Sequence, residues 1–122
     1  MTIKMKLRYV FLTLIWCISC SDNSDKITVC NTNNPLEELV WLKEIKTGFE
    51  KSASVSKKKI IQYTYQNKSV FLVDICNDCA DNLTAVYNCN GTLICEFGGI
   101  AGINTCPDFD KNATNKIILW EN

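Results

Sequence analysis

The chain has 122 residues, 13 basic and 13 acidic side chains, 47% apolar residues, eight cysteines and no histidine, enough for one small domain. Its balanced charge argues against general nucleic-acid binding. The missing histidine removes Ser-His-Asp and Cys-His catalysis and the commonest zinc sites.

The first segment reads as targeting, not fold. Lys4, Lys6 and Arg8 form a positive flank, and Tyr9 to Ile18 is an apolar run of ten residues. A membrane span needs about 20 residues, so the run has the length of a signal-peptide core. Ser19-Cys20 closes it, and polar Ser21 to Asp25 follows. The arrangement resembles a bacterial lipoprotein signal, in which a small residue precedes a cysteine that takes a diacylglycerol group and becomes the new N-terminus. Ser19 matches the small residue and Cys20 the lipidated one; Cys17 stands where such signals usually carry Leu. The alternative is an ordinary cleaved secretory peptide that leaves Cys20 as a disulfide partner.

The division expected is therefore residues 1–19 as lipoprotein signal peptide, residues 20–30 as lipidated cysteine and polar tether, and residues 31–122 as a single α+β domain. Removing residues 1–19 leaves 103 residues and takes away three basic side chains, so the net charge falls from 0 to −3. A mildly acidic domain is a poor ligand for nucleic acid or anionic lipid. Attachment to a membrane would come from acyl chains at Cys20.

Asn34-Pro35-Leu36-Glu37 is a helix start, with Asn34 as cap, Pro35 at the first position and Glu37 at the third. Leu36, Leu39, Val40, Leu42, Ile45 and Phe49 recur at helical spacing and predict an amphipathic helix of about four turns. Trp41 widens its apolar side. Ser52 to Lys59 reads as a loop, with Lys57-Lys58-Lys59 as a solvated turn.

Ile60 to Gln66 and Ser69 to Ile75 alternate as strands about a turn at Asn67-Lys68. Ile61, Tyr63 and Tyr65 share a face with Val70 and Leu72. Such a face can bind sugar or peptide, and more often packs under a helix. Leu83 to Cys89 and Thr92 to Phe97 form a second hairpin about Asn90-Gly91. A two-residue turn there sets Cys89 opposite Thr92 and Val86 opposite Cys95, so Cys89 and Cys95 point to opposite faces. Gly98-Gly99-Ile100-Ala101-Gly102 matches no phosphate-loop spacing and reads as a tight loop. Asp108 and Asp110 offer two carboxylates, too few for a calcium site. Ile117 to Trp120 is a closing strand. The fold class is α+β: one N-terminal amphipathic helix on a small antiparallel sheet of two hairpins plus a C-terminal strand, stapled by disulfides.

Besides Cys17 and Cys20, the cysteines are Cys30, Cys76, Cys79, Cys89, Cys95 and Cys106. Export to an oxidising compartment makes all six disulfide candidates. Cys106 is the expected partner of Cys95 because the glycine-rich stretch between them can fold back; the pairing among Cys30, Cys76, Cys79 and Cys89 stays open. Cys76-Asn77-Asp78-Cys79 is also a CxxC, which as a redox dithiol normally opens a helix. No helical pattern follows Cys79.

Three patterns together carry a resemblance: Asn34 to Leu39 with Trp41-Leu42-Lys43, Tyr87 to Gly91 with Ile94-Cys95, and Gly98-Gly99-Ile100 with Cys106-Pro107-Asp108-Phe109. From Cys30 to Trp120 the chain resembles a family of small Bacteroidota lipoproteins of unknown function. That resemblance implies a cell-envelope location, anchored to a bacterial outer membrane or displayed on the cell surface, and a structural use of Cys89, Cys95 and Cys106. It implies no activity, substrate or cofactor. The aspartates beside Cys20 are similar to acidic surface-export signals of such lipoproteins, or are a plain hydrophilic spacer. The functional expectation is a lipid-anchored, non-catalytic binding module with an unknown envelope or extracellular partner, and no metal or cofactor. The alternatives are a small hydrolase inhibitor presenting the Cys95–Cys106 loop and a thiol oxidoreductase using Cys76 and Cys79.

Overall fold

The computed structural model describes residues 29–122. The expected signal peptide, the expected lipidation site Cys20 and the expected tether as far as Thr28 lie outside the described residues; the last two residues assigned to that tether, Val29 and Cys30, pack in the core around Leu42, and Cys30 is bonded to Cys89. After Pro35–Glu38 (α1) and Val40–Lys51 (α2) come β1 (Lys59–Tyr65), β2 (Lys68–Asp74), β3 (Leu83–Tyr87), β4 (Leu93–Gly98) and β5 (Ile103–Asn104), then α3 (Phe109–Asn112) and β6 (Thr114–Glu121). The strands form one antiparallel sheet in the order β5-β4-β3-β2-β1-β6. The chain runs as a meander through β5 and then returns along the outer side of β1. No helix among the described residues is long and apolar enough to cross a membrane.

The period of two sorts side chains onto two buried faces. On one face Ile60 and Phe71 meet Leu42 of α2, with Trp41, Ile45, Phe49 and Trp120 packed around them. On the other, Ile61, Tyr65, Val70, Leu72, Val86 and Cys95 pack against Cys106 and Phe109. The Phe109 ring lies 5.2 Å from Tyr63, 4.9 Å from Tyr65 and 5.4 Å from Phe97. The sheet is thus covered by α2 on one side and by the segment around α3 on the other.

The helix differs from expectation: it is broken at Leu39, whose φ of −84° and ψ of 104° are extended. Leu36 and Leu39 still pack with Leu42. The break brings Glu37 within 3.2 Å of Lys43 and 3.3 Å of Lys46, partners that an unbroken helix places on other faces. Asn34 occupies the cap position through its backbone. Its carbonyl accepts from the Glu37 and Glu38 amides at 3.1 and 3.0 Å, and its side chain makes no capping bond.

Both turns also differ in detail. The first hairpin turns at Gln66-Asn67, with φ of 50° and 60°, so that Tyr65 pairs with Lys68. Two consecutive positive φ angles are the twist-matched hairpin turn. Moving a turn by one residue moves the register by two, so the expected grouping of Ile61, Tyr63 and Tyr65 with Val70 and Leu72 is preserved. In the second hairpin Val86 faces Cys95 as expected, but a bulge then sets Tyr87 opposite Leu93. Asn88 replaces Cys89 opposite Thr92, its amide donating to the Thr92 carbonyl at 3.0 Å. The Asn88 side chain drives this wider loop by accepting from the Asn90 and Thr92 amides at 2.9 and 3.0 Å.

Candidate functional site

Two sequence-singled segments, the CxxC and the glycine-rich loop, meet at one end of the sheet. β2 ends there at Asp74, β3 begins at Leu83 and β4 ends at Gly98. Asp74 is buried. Its Oδ1 accepts from the Cys76 amide at 3.1 Å and from Asn82 Nδ2. One carboxylate therefore holds both ends of the segment between β2 and β3. The CxxC turn is tied to the chain entering β1: the Asn77 amide donates to the Lys57 carbonyl at 2.7 Å and the Lys57 amide to Asp78 Oδ1 at 3.2 Å.

Cys76 and Cys79 are joined as a disulfide, with Cα atoms 5.3 Å apart. Cys76 is buried and Cys79 exposed. Asp78 Oδ1 lies 3.4 Å from Cys76 Sγ. A carboxylate at that distance disfavours a thiolate, and the chain after Cys79 enters β3 rather than a helix. Redox dithiols normally sit at the start of a helix and away from a facing carboxylate, an arrangement that this turn lacks. Cys76, Asp78 and Cys79 also bring one ligand atom each within 4.8 Å of one another. A metal would need the two sulfurs as thiolates, and the disulfide occupies both.

The glycine-rich loop is docked on the residues before β3. The Gly99 amide donates to the Asn82 carbonyl at 2.8 Å and the Ile100 amide to Asp81 Oδ1 at 2.9 Å. Gly98 has φ of 109°, and a Cβ there would collide with the Asn82 carbonyl oxygen, so only glycine fits this approach. The Cys95–Cys106 disulfide closes the loop. Ile100 stands at its tip, 82% exposed. The result is a rigid loop displaying an apolar side chain, an arrangement suited to contact.

Cys30 bonds Cys89 on the α2 face, and Cys95 bonds Cys106 on the opposite face, as the strand alternation requires. The tyrosine face is packed under Phe109, with the Tyr65 hydroxyl donating to the Pro107 carbonyl at 2.9 Å. Burial raises the Tyr63 phenol pKa above its ordinary value. Lys58 departs from the solvated-turn reading: it is buried, and its Nζ donates to the Ser54 and Ser56 carbonyls at 3.2 and 3.1 Å. Asp108 Oδ1 lies 3.9 Å from Lys111 Nζ. Sequence reasoning missed Asp74, Asp81 and Asn82. Their contacts reach across the β2–β3 segment or onto the glycine-rich loop after β4, and polar residues at strand ends carry no signal for that.

The fold and these loops define a small disulfide-stapled α+β domain with a six-stranded antiparallel sheet. Residues 46–122 match the model of a domain of unknown function, DUF6970, and the chain belongs to that family. Comparison with curated proteins and with solved structures finds no match.

Proposed function

We propose that the mature protein is a lipid-anchored cell-envelope protein of the small Bacteroidota lipoprotein type, held on the outer membrane or cell surface through Cys20, and that it acts as a non-catalytic binding module. The observation that carries this reading is the complete pairing of the six cysteines from Cys30 onward. Among the described residues no cysteine is left over for Cys20 to bond. Three disulfides in so short a domain suit an oxidising compartment. The net charge of −3 after signal removal supports an envelope or extracellular protein partner over nucleic acid. The decisive experiment is metabolic labelling with palmitate: the wild type takes up label and Cys20→Ala does not. Equal labelling of both ends the anchored reading.

A second reading, a hydrolase inhibitor, draws support from the exposed Ile100 on its disulfide-closed loop. A preorganised loop binds with little ordering cost. Under this reading an active hydrolase co-purifies with the wild type from surface membranes, and Ile100→Asp loses it. Co-purification that is indifferent to Ile100 removes the inhibitor reading and leaves the anchor standing.

A further inference from the structure

The two edges of the sheet are unlike. One is β5, two residues long and tied down by the Cys95–Cys106 loop. The other is β6, eight residues long; among the described residues it pairs with β1 alone, in a register that shifts between Ile60 and Ile61 and again between Gln62 and Thr64. A long open strand presents unpaired backbone donors and acceptors and is a template for pairing. Ile117 and Ile118 flank this edge at 50% and 46% exposure. They stand on opposite faces, since Ile117 pairs with Gln62 and Ile118 with Ile61.

The charges on β6 say what covers it. The strand carries two charged residues, Lys116 near its start and Glu121 at its end. An antiparallel second copy brings each beside the other. With a two-fold axis at Ile118, Ile118 faces its own copy. Ile117 then faces the bulge at Leu119 and Trp120, the same bulge that the β1 register passes over between Ile118 and Trp120. Lys116 falls opposite Glu121. Every opposed pair lies on a common face: Ile117, Leu119 and Trp120 on the α2 side, Ile118 and the two charges on the other. Opposite charges and apolar pairs directly across antiparallel strands are each favourable. A two-fold axis at Lys116 or Glu121 instead sets like charges together.

We propose that β6 is a self-pairing edge, and that two copies of this chain join antiparallel through it into one continuous twelve-stranded sheet. The proposal is independent of the lipid anchor, because it rests on β6 alone.

A zero-length carbodiimide crosslink between an amine and a carboxylate tests it on the full chain. At about 3.3 Å per residue, Lys116 and Glu121 of one strand are about 16 Å apart, beyond the reach of such a link. A Lys116–Glu121 crosslink therefore reports two copies. Natural and 15N-labelled full-length chains, each solubilised in detergent, are mixed before the reaction. The expected result is a mixed-isotope Lys116–Glu121 peptide in a band of twice the chain mass. The 3.9 Å Lys59–Glu121 pair within one chain serves as internal control. Lys116→Glu makes both symmetric pairs repulsive and lowers the dimer association constant about tenfold. Lys116→Glu with Glu121→Lys restores the dimer. The proposal falls if the Lys59–Glu121 link forms without the Lys116–Glu121 link. It falls equally if β6 links to residues preceding Val29, or if the single reversal leaves the dimer share unmoved.

Discussion

Trp41 and Gly91 explain each other. The Trp41 indole donates from Nε1 to the Cys89 carbonyl at 3.0 Å and packs 5.6 Å from the rings of both Phe71 and Tyr87. Gly91 has φ of 76°, and a Cβ on it would stand 2.7 Å from Trp41 Cγ. The sequence marks Asn90-Gly91 as a turn, but the indole that clamps the turn comes from 48 residues away and leaves no local trace. Two separable costs follow for Gly91→Ala: about 1 kcal/mol for a non-glycine residue at positive φ, and about 1 to 2 kcal/mol for overpacking against the ring. Trp41→Ala alone is expected to cost about 3 to 5 kcal/mol. In the Trp41→Ala background the overpacking disappears, so Gly91→Ala should then cost about 1 kcal/mol only. Urea unfolding of the four proteins measures the coupling; strictly additive costs would mean that the ring does not seal the turn.

At the scale of elements, the strands were legible because a half-buried antiparallel strand alternates every second residue, and a turn misplaced by one residue leaves the faces intact. The helix was legible as an apolar stripe, but its break was not. Leu36, Leu39 and Leu42 keep helical spacing whether or not the backbone is continuous, and no Gly or Pro marks Leu39. The break has an electrostatic consequence. Lys43 and Lys46 hydrogen-bond the Glu37 carboxylate and hold its pKa below 4.5. A depressed carboxylate contributes stability that is present above its unfolded pKa and is lost as pH falls through its folded one. Glu37→Gln should therefore lower the urea midpoint at pH 7, and the gap from wild type should close as the pH drops below about 4.5. A gap that stays constant across that window would show that the glutamate acts without its charge.

For the whole molecule, the cysteines report how far a sequence pattern reaches. That Cys89 and Cys95 serve opposite faces followed from strand alternation, and Cys106 followed from the short glycine-rich stretch behind Cys95, which can fold back sharply. The partner of Cys30 did not follow, because it depends on how the broken helix brings Val29 and Cys30 back onto the α2 face beside Cys89. The three bridges also differ in what they can contribute. Their sequence separations are 59 for Cys30–Cys89, 11 for Cys95–Cys106 and 3 for Cys76–Cys79. Loop-closure entropy then gives about 4, 3 and 2 kcal/mol in that order. Paired alanine replacements should rank the same way at the ends of the series. Cys30→Ala with Cys89→Ala should lower the unfolding temperature most, since it also frees the segment that leads toward the membrane anchor proposed at Cys20. Cys76→Ala with Cys79→Ala should lower it least, because Asp74 and the Lys57 backbone hold that turn without the sulfurs. Calorimetry on the three variants decides the order. A CxxC variant as unstable as the Cys30–Cys89 variant would mean that the short bridge, and not Asp74, organises the end of the sheet on which the glycine-rich loop is docked.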